Sequence, residues 1–426
     1  MITAITIAGT PVDLSTVVAE NITVLHGRTS FDDGPTASSA DLTLLIPDSA
    51  GIPDWTGGDT LTVAGQVGPL FTGRITDRRI PGHVDTVERG RCAQLEIIAA
   101  GPLSTAGHRV VGDQPWPQEV GSARAQRILD AANLPGLVKI PVAPEVQVLP
   151  RDVDAQLALA LLDDLAGDTG AAVVDLPDGR ILYQPLEARS RPIFNIRWMD
   201  IDPADTWETL DPAMTWADLD VLSPAAAVPL DLPPGAVEAE PQWVATAAAI
   251  INHIRVGYGN PPTEGGDQPY VDLQDAASIA RYDPRYAYLG TSLATTSDAS
   301  ARASRIISTQ AAERWGLTNV TVWETLLDEA TAAQLAALVC GAWVQVTGMP
   351  QPAPATAWAG IVEGWAYTER HATGGDPQAW WQLSLSDPLH SLAVFTWADF
   401  TPAYEWSQFP PEVLWADLTD LTVIGA

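Results

Sequence analysis

GDTLTVAGQVGPLFTGRITD, residues Gly58–Asp77, decides the class of fold. Its apolar residues recur at every second position, as at Leu61 and Val63, which is the period of a half-buried strand and not of a helix. Strands are therefore expected over Thr60–Ala64 and Leu70–Ile80. Moving outward, the same alternation marks Ile2–Ala8, Ile22–His26, Ala40–Ile46 and Gln94–Ala100, with Leu42, Leu44 and Ile46 joining Leu61 and Val63 in one core. Short strands with turn residues between them, and no long helix, imply a small β-barrel or sandwich over residues 1–105.

From Pro102 the pattern changes. Ser122–Ala132 carries apolar residues at helical spacing (Ala125, Ile128, Leu129, Ala132), with Ser122 as the expected N-cap and Asn133 and Pro135 as the stop. A second helix is expected from about Asp154, with Leu157, Leu161 and Leu165 on one face and Gly167 ending it. Ala171–Asp175 and Arg180–Gln184 flank an Asp-Gly turn and read as a hairpin. Residues 106–192 thus form a small α+β domain.

A second β domain is expected over residues 242–390. Its strands fall at Ile250–Tyr258, Asn319–Leu326, Ala342–Val346, Trp358–Thr368 and Ala379–Ser386. Two helices interrupt them: Asp298–Trp315, capped by Ser297, and Thr331–Cys340, opened by a capping box of Thr331 and Gln334.

Between and after these domains lies a repeat. Trp198, Trp207 and Trp216 are nine residues apart, as are Trp397, Trp406 and Trp415. An apolar residue follows each at plus three (Ile201, Leu210, Leu219, Phe400, Phe409, Leu418), and proline stands at plus five in the first two units of each set. Nine residues are two and a half helical turns, and the prolines forbid a continuous helix, so each unit reads as one helical turn followed by a chain reversal. One unit is too short to bury its own indole. Cover must come from neighbouring units and adjoining domains, the favoured reading, or from a partner on which the tryptophans and Leu210, Leu219, Phe400, Phe409 and Leu418 would be interaction residues. The repeats occupy residues 193–241, together with the Pro- and Ala-rich connector Ser223–Pro241, and residues 391–426.

Composition narrows function. The formal net charge is −31 over 426 residues, which argues against nucleic-acid binding through a basic surface. It leaves room for an acidic wall that a duplex passes without adhering. Cys92 and Cys340 lie in apolar surroundings without metal-ligand spacing and read as buried thiols, consistent with assembly in a cytosol. No export signal or membrane-length apolar span is apparent. Lys139 is the only lysine, and the abundance of Ala, Gly and Pro points to a GC-rich coding sequence.

No catalytic centre emerges. The six histidines are scattered, and nucleophile-elbow, zincin, phosphate-loop and dinucleotide signatures are lacking. Asp163 and Asp164 are the nearest thing to an acid/base pair and read as a solvated helix face. The expectation is a non-enzyme with no metal or cofactor. A Trp-rich surface that stacks on sugars keeps a receptor- or glycan-binding role as the alternative.

Two groups of residues resemble a family. Gly58–Asp77, with its G-D-x-φ-x-φ strand and φ-F-x-G-x-I-x-D continuation, is similar to the N-terminal barrel of phage tail-tip or baseplate hub proteins. The order that follows is similar too: Leu161–Pro185, then INHIRVGYG at Ile251–Gly259, then DAASIARYDPR at Asp275–Arg285, then Ala342–Pro388. The nonads are not part of the family's common pattern. With the GC-rich bias they look like minor tail proteins of siphophages infecting actinobacteria.

The resemblance implies a mainly β protein with two small barrel or sandwich hub domains, an intervening α+β domain, and a homotrimeric, pseudo-sixfold ring at the virion tail tip, assembled in the host cytoplasm. It implies contacts with the tail tube or distal tail proteins, the tape measure protein and other tip proteins, and a channel for DNA ejection without specific binding. Three chains would place 3 × −31 = −93 formal charges around that channel.

Overall fold

The computed structural model describes residues 1–31, 33–86, 90–112, 115–139, 145–186, 230–233, 235–237, 243–245, 247–260, 267–313, 315–347, 357–371 and 377–386. The first β region contributes β1 (Ile2–Ile7), β2 (Thr10–Pro11), β3 (Val18–Gly27), β4 (Ser39–Pro47), β5 (Thr60–Gly65), β6 (Pro69–Thr86) and β7 (Gly90–Ala100). The alternation read from sequence is the alternation of burial: Leu42, Leu44, Leu61 and Val63 are all 0% exposed. Antiparallel pairing runs β3–β4–β7–β6–β5–β1–β2, so sequence neighbours are mostly spatial neighbours.

After α1 (Pro102–Ala106) comes the α+β module, built from α2 (Gly121–Ala131), β8 (Leu137–Lys139), α3 (Ala158–Thr169), β9 (Ala172–Asp175) and β10 (Ile181–Gln184). β9 and β10 pair antiparallel across the Asp-Gly turn, and β8 adds parallel to β10. Ile128, Leu129, Leu161, Leu162, Leu165 and Tyr183 share its core. Two helix-end expectations are corrected. Val120, not Ser122, is the N-cap of α2, because the Ser122 hydroxyl and amide both bond Glu145. α3 begins past Leu157, which is 44% exposed, and runs through Gly167 to Gly170, whose φ of 73° supplies the left-handed cap.

The rest of the chain adds β11 (Leu230–Leu232), β12 (His253–Gly257), β13 (Tyr270–Gln274), α4 (Ala276–Tyr282), β14 (Tyr286–Leu289), α5 (Thr296–Gln310), β15 (Asn319–Trp323), α6 (Glu329–Ala336), β16 (Trp343–Thr347), β17 (Ala357–Arg370) and β18 (Gln378–Ser386). α5 is capped by Thr295, not Ser297, and α6 by Asp328, which holds both the amide and the hydroxyl of Thr331. β12, β13 and β14 form a separate three-stranded sheet. Ile254 and Val256 on one of its faces pack against Ala299 and Ala303 of α5, four residues apart and therefore on one side of the helix.

The two β regions are one sheet. β17 pairs along its whole second half with β3, Gly364–Arg370 against Asn21–Gly27, while its first half pairs with β16. β18 occupies its other edge from Ile361 to Arg370, and β15 lies beyond β18. The result is a twelve-stranded sheet that, among the described residues, runs open from β11 to β2 without closing into a barrel. One hydrophobic core follows it, from Leu44, Val63, Phe71 and Ile97 to Val344, Val362, Trp365, Trp381 and Leu383. The mainly β class with helices and a small α+β module is as expected; the continuity of the sheet is what the sequence did not announce.

Candidate functional site: a buried polar seam

The seam lies where β17 changes partners. A bulge between Val362 and Gly364 takes Glu363 out of register with β18 at the point where β16 gives way to β3, and its carbonyl accepts from the Arg28 amide at 2.9 Å. A bulge frees one residue from strand register and re-aims its side chain. Here the Glu363 carboxylate turns inward to Arg28, just past the end of β3. Arg28 Nη2 donates to Glu363 Oε2 at 2.6 Å, Ser386 Oγ donates to Oε1 at 2.5 Å, and Arg28 Nη1 donates to the Asp33 carbonyl at 2.8 Å. Both charged side chains are 2% exposed, and Arg28 Nε has no hydrogen-bond partner among the described residues.

Glycine makes the close approach possible. Gly27 has φ +78°, and a Cβ placed on it would sit 2.4 Å from the Glu363 carbonyl oxygen and 2.5 Å from Cys340 Sγ. A Cβ on Gly364 would lie 2.4 Å from the Arg28 carbonyl oxygen. Both positions thus need glycine, one for its backbone angle and its space and the other for space alone. Beside them His26 is buried, with Nε2 2.8 Å from the Leu70 carbonyl and its ring 4.7 Å from that of Trp365. Burial holds its pKa down to about 4, so the ring is neutral at physiological pH.

Two further buried carboxylates tie the remaining parts to this seam. Asp175, at the end of β9, accepts from the Ser38 amide at 2.9 Å, the Ser38 hydroxyl at 3.1 Å and the Leu103 amide at 3.0 Å. Burial pushes its pKa up to about 6 despite those donors. Glu369 of β17 accepts from the Ile2 amide at 2.7 Å, from the Tyr367 hydroxyl and from His371 Nε2 at 2.8 Å. The Tyr367 hydroxyl is raised by burial first and the neighbouring carboxylates second. Glu324 holds the Met1 amino group on one oxygen and Trp381 Nε1 on the other, at 2.9 Å. Ser292 joins the three-stranded sheet to the α+β module by accepting from Leu149 N at 2.8 Å and donating to Asp168.

These groups fasten elements together. Asp163 and Asp164 are exposed on α3, and Asp164 pairs with Arg151 at 2.7 Å. His83 and His253 pair with Asp48 and Asp272 at the surface. Among the described residues no group of three or more His, Cys, Asp or Glu side chains is placed to hold a metal ion. Cys92 and Cys340 are both buried, and among the described residues no helix is long and apolar enough to cross a membrane.

The candidate interaction residues Trp198, Trp207, Trp216, Trp397, Trp406, Trp415, Leu210, Leu219, Phe400, Phe409 and Leu418 all lie outside the described residues. The seam residues escaped the sequence reading, although one signal was present. Trp365, Tyr367 and Glu369 stand in phase on β17, so a carboxylate shares the face of two buried aromatics.

No protein-family model matches the sequence, and no curated protein matches it. Solved structures do match its fold. The 43 kDa tail protein of prophage MuSo2 from Shewanella oneidensis aligns with a TM-score of 0.59 at 11% identity, covering 92% of this chain and 100% of that one. The tail protein from Neisseria meningitidis MC58 aligns with a TM-score of 0.57 at 11% identity, covering 91% and 99%. The chain has the fold of these tail proteins from end to end of theirs.

Proposed function

We propose that the chain is a non-enzymatic structural hub of the tail tip of a long-tailed phage, one infecting an actinobacterium, and that three copies close a pseudo-sixfold ring between tail tube and tip. The observation that carries this reading is the shared fold along essentially the full length of two tail proteins. The continuous sheet supports it physically. Two β regions welded through β17 behave as one block, which is what a ring segment bearing load between neighbours requires. Three such blocks supply six β regions. The ring meets the tube, the tape measure protein and other tip proteins, and its channel carries DNA without binding it. The charge of −31 fits a wall that repels phosphate.

Light scattering of the purified full chain over a concentration series tests the proposal, together with negative-stain images. A mass three times that of the monomer and rings wide enough for a duplex are expected, with monomer at low concentration. A dimer, or a monomer at every concentration that forms no ring with tube protein, would refute it.

One surface favours a second reading, receptor or glycan binding. Tyr270, Tyr286 and Tyr288 stand 47%, 53% and 55% exposed on the face of the three-stranded sheet opposite α5. Arg255 lies over the first two rings at 4.7 and 5.8 Å. Aromatic faces beside polar groups stack on sugars. A glycan array probed with wild type and Tyr288→Ala separates the two: binding lost in the variant supports this reading, and no binding by wild type removes it.

A further inference from the structure

The three tyrosines on the solvent face of the three-stranded sheet are not equivalent. Arg255 stands on β12 at the centre of that face, level with Asp272 of β13 on one side and Tyr288 of β14 on the other. Its guanidinium lies over the Tyr270 ring at 4.7 Å and the Tyr286 ring at 5.8 Å. Tyr288 has no such neighbour: among the described residues no guanidinium or second ring stacks on it. Its ring leans along the sheet over two positions without side chains. A Cβ on Gly290 would lie 3.5 Å from Tyr288 Cε1, and one on Gly257 would lie 3.3 Å from its hydroxyl oxygen. One side of the ring is thereby supported from below, while the residue as a whole is 55% exposed.

Fixed polar groups stand beside this open ring. Arg255 Nε donates to Asp272 Oδ2 at 2.7 Å, and His253 Nε2 lies 2.7 Å from Asp272 Oδ1. The Arg255 bond, ahead of the His253 one, holds the Asp272 carboxyl below the usual carboxylate range, so the face carries an ionised acceptor locked in one orientation. Each carboxylate oxygen retains a second acceptor site, and the Asp272 side chain is 37% exposed. The two terminal nitrogens of Arg255 make no hydrogen bond among the described residues and remain available as donors. Neighbouring strands are about 4.8 Å apart, so these donors are within reach of a ligand stacked on Tyr288.

That combination selects among occupants. An apolar side chain of a partner protein laid on Tyr288 would desolvate the Arg255–Asp272 pair without bonding its remaining donors and acceptors, which is costly. A sugar ring avoids that cost. The C–H bonds of one of its faces stack on an aromatic ring, and its hydroxyls both donate to a carboxylate and accept from a guanidinium. Charge narrows the class further. Arg255 is matched by Asp272, so an anionic ligand would find no uncompensated guanidinium here, and the net charge of −31 repels anions.

We infer that this face binds an uncharged sugar, stacked on Tyr288 and hydrogen-bonded through its hydroxyls to Asp272 and to the terminal nitrogens of Arg255. The inference rests on the glycan reading above and narrows it to one ring and one ligand class.

An array carrying neutral oligosaccharides beside sialylated, sulfated and uronic-acid ones tests it, probed with the full chain and with Tyr288→Ala, Tyr288→Phe, Tyr270→Ala and Asp272→Asn. These positions are exposed, so the variants are expected to fold, which circular dichroism checks. Wild type should bind neutral glycans. Tyr288→Ala should weaken binding by about tenfold or more, and Tyr288→Phe by less than about threefold, because stacking uses the ring and not the hydroxyl. Asp272→Asn should cost about three- to tenfold through the lost charge-assisted bonds. Tyr270→Ala should cost less than Tyr288→Ala, since Arg255 already covers the Tyr270 ring. Binding confined to anionic glycans but lost in Tyr288→Ala would overturn this inference and leave the glycan reading standing. Binding unchanged in Tyr288→Ala or Asp272→Asn, or a Tyr288→Phe variant as weak as Tyr288→Ala, or a Tyr270→Ala variant as weak, would also overturn it. No binding by wild type would remove both.

Discussion

Removing one partner of the buried Arg28–Glu363 pair should cost far more than removing both. Each side chain is 2% exposed, and their contact is a single 2.6 Å bond supplemented by Ser386 and the Asp33 carbonyl. Glu363→Ala removes the guanidinium's counter-charge in a protein interior, with Nε already lacking a hydrogen-bond partner among the described residues. That situation costs about 3–5 kcal/mol, while an apolar replacement of both members is often neutral or better. Arg28→Met should also destabilise, because the buried Glu363 carboxylate loses its guanidinium partner. For the double variant Arg28→Met/Glu363→Leu, the remaining losses are the unpaired Ser386 hydroxyl and the Asp33 carbonyl, about 1–2 kcal/mol together. The coupling energy across the cycle is then about 3 kcal/mol or more, read from urea denaturation at pH 7 by circular dichroism and Trp fluorescence. Single variants within 1 kcal/mol of wild type, or a double variant as unstable as the sum of the two singles, would refute the idea that this pair locks the partner change of β17.

Gly27→Ala should destabilise by about 3 kcal/mol or more, since φ +78° and a Cβ 2.4 Å from the Glu363 oxygen penalise any side chain; a melting temperature equal to wild type would contradict the geometry. His26 has a folded pKa of about 4 against 6.5 unfolded. Its contribution is fully present above pH 6.5 and is lost as pH falls through 4, about 3 kcal/mol in all. His26→Gln should remove that part of the acid slope in urea midpoints measured from pH 7 to 4. Asp175 acts in the opposite sense: with its folded pKa raised from 3.8 to about 6, its contribution is full below pH 3.8 and is lost as pH rises through 6. Asp175→Asn should therefore cost about 3 kcal/mol more at pH 4 than at pH 8, and a cost independent of pH would contradict the burial.

Where strands alternate, the sequence was readable to within a few residues. Ala40–Ile46 and Thr60–Ala64 became Ser39–Pro47 and Thr60–Gly65 because a sheet with one buried face imposes a strict two-residue code. β3 begins earlier than expected, at Val18, since the bulge between Ala19 and Asn21 breaks the code there. Tyr270–Gln274 and Tyr286–Leu289 were missed as strands: their outward tyrosines and Asp272 blur the contrast between faces. Cap residues slipped by two or three positions because Ser, Thr and Asp cluster at both starts, and only three-dimensional geometry selects Thr295 and Asp328. The pairing of β3 with β17 joins residues more than 330 apart, which no local period encodes. The carboxylates at the seam were invisible for a related reason: a buried charge is tolerated only beside its partner, and Arg28 lies 335 residues from Glu363.

Because β17 divides one edge between β16 and β3, the molecule has no hinge line there. Turning one end of the sheet against the other would shear seven consecutive residue pairs at once and drag a charged pair out of the interior. The two ends of the twelve-stranded sheet are accordingly expected to travel together, as a single undeformed piece.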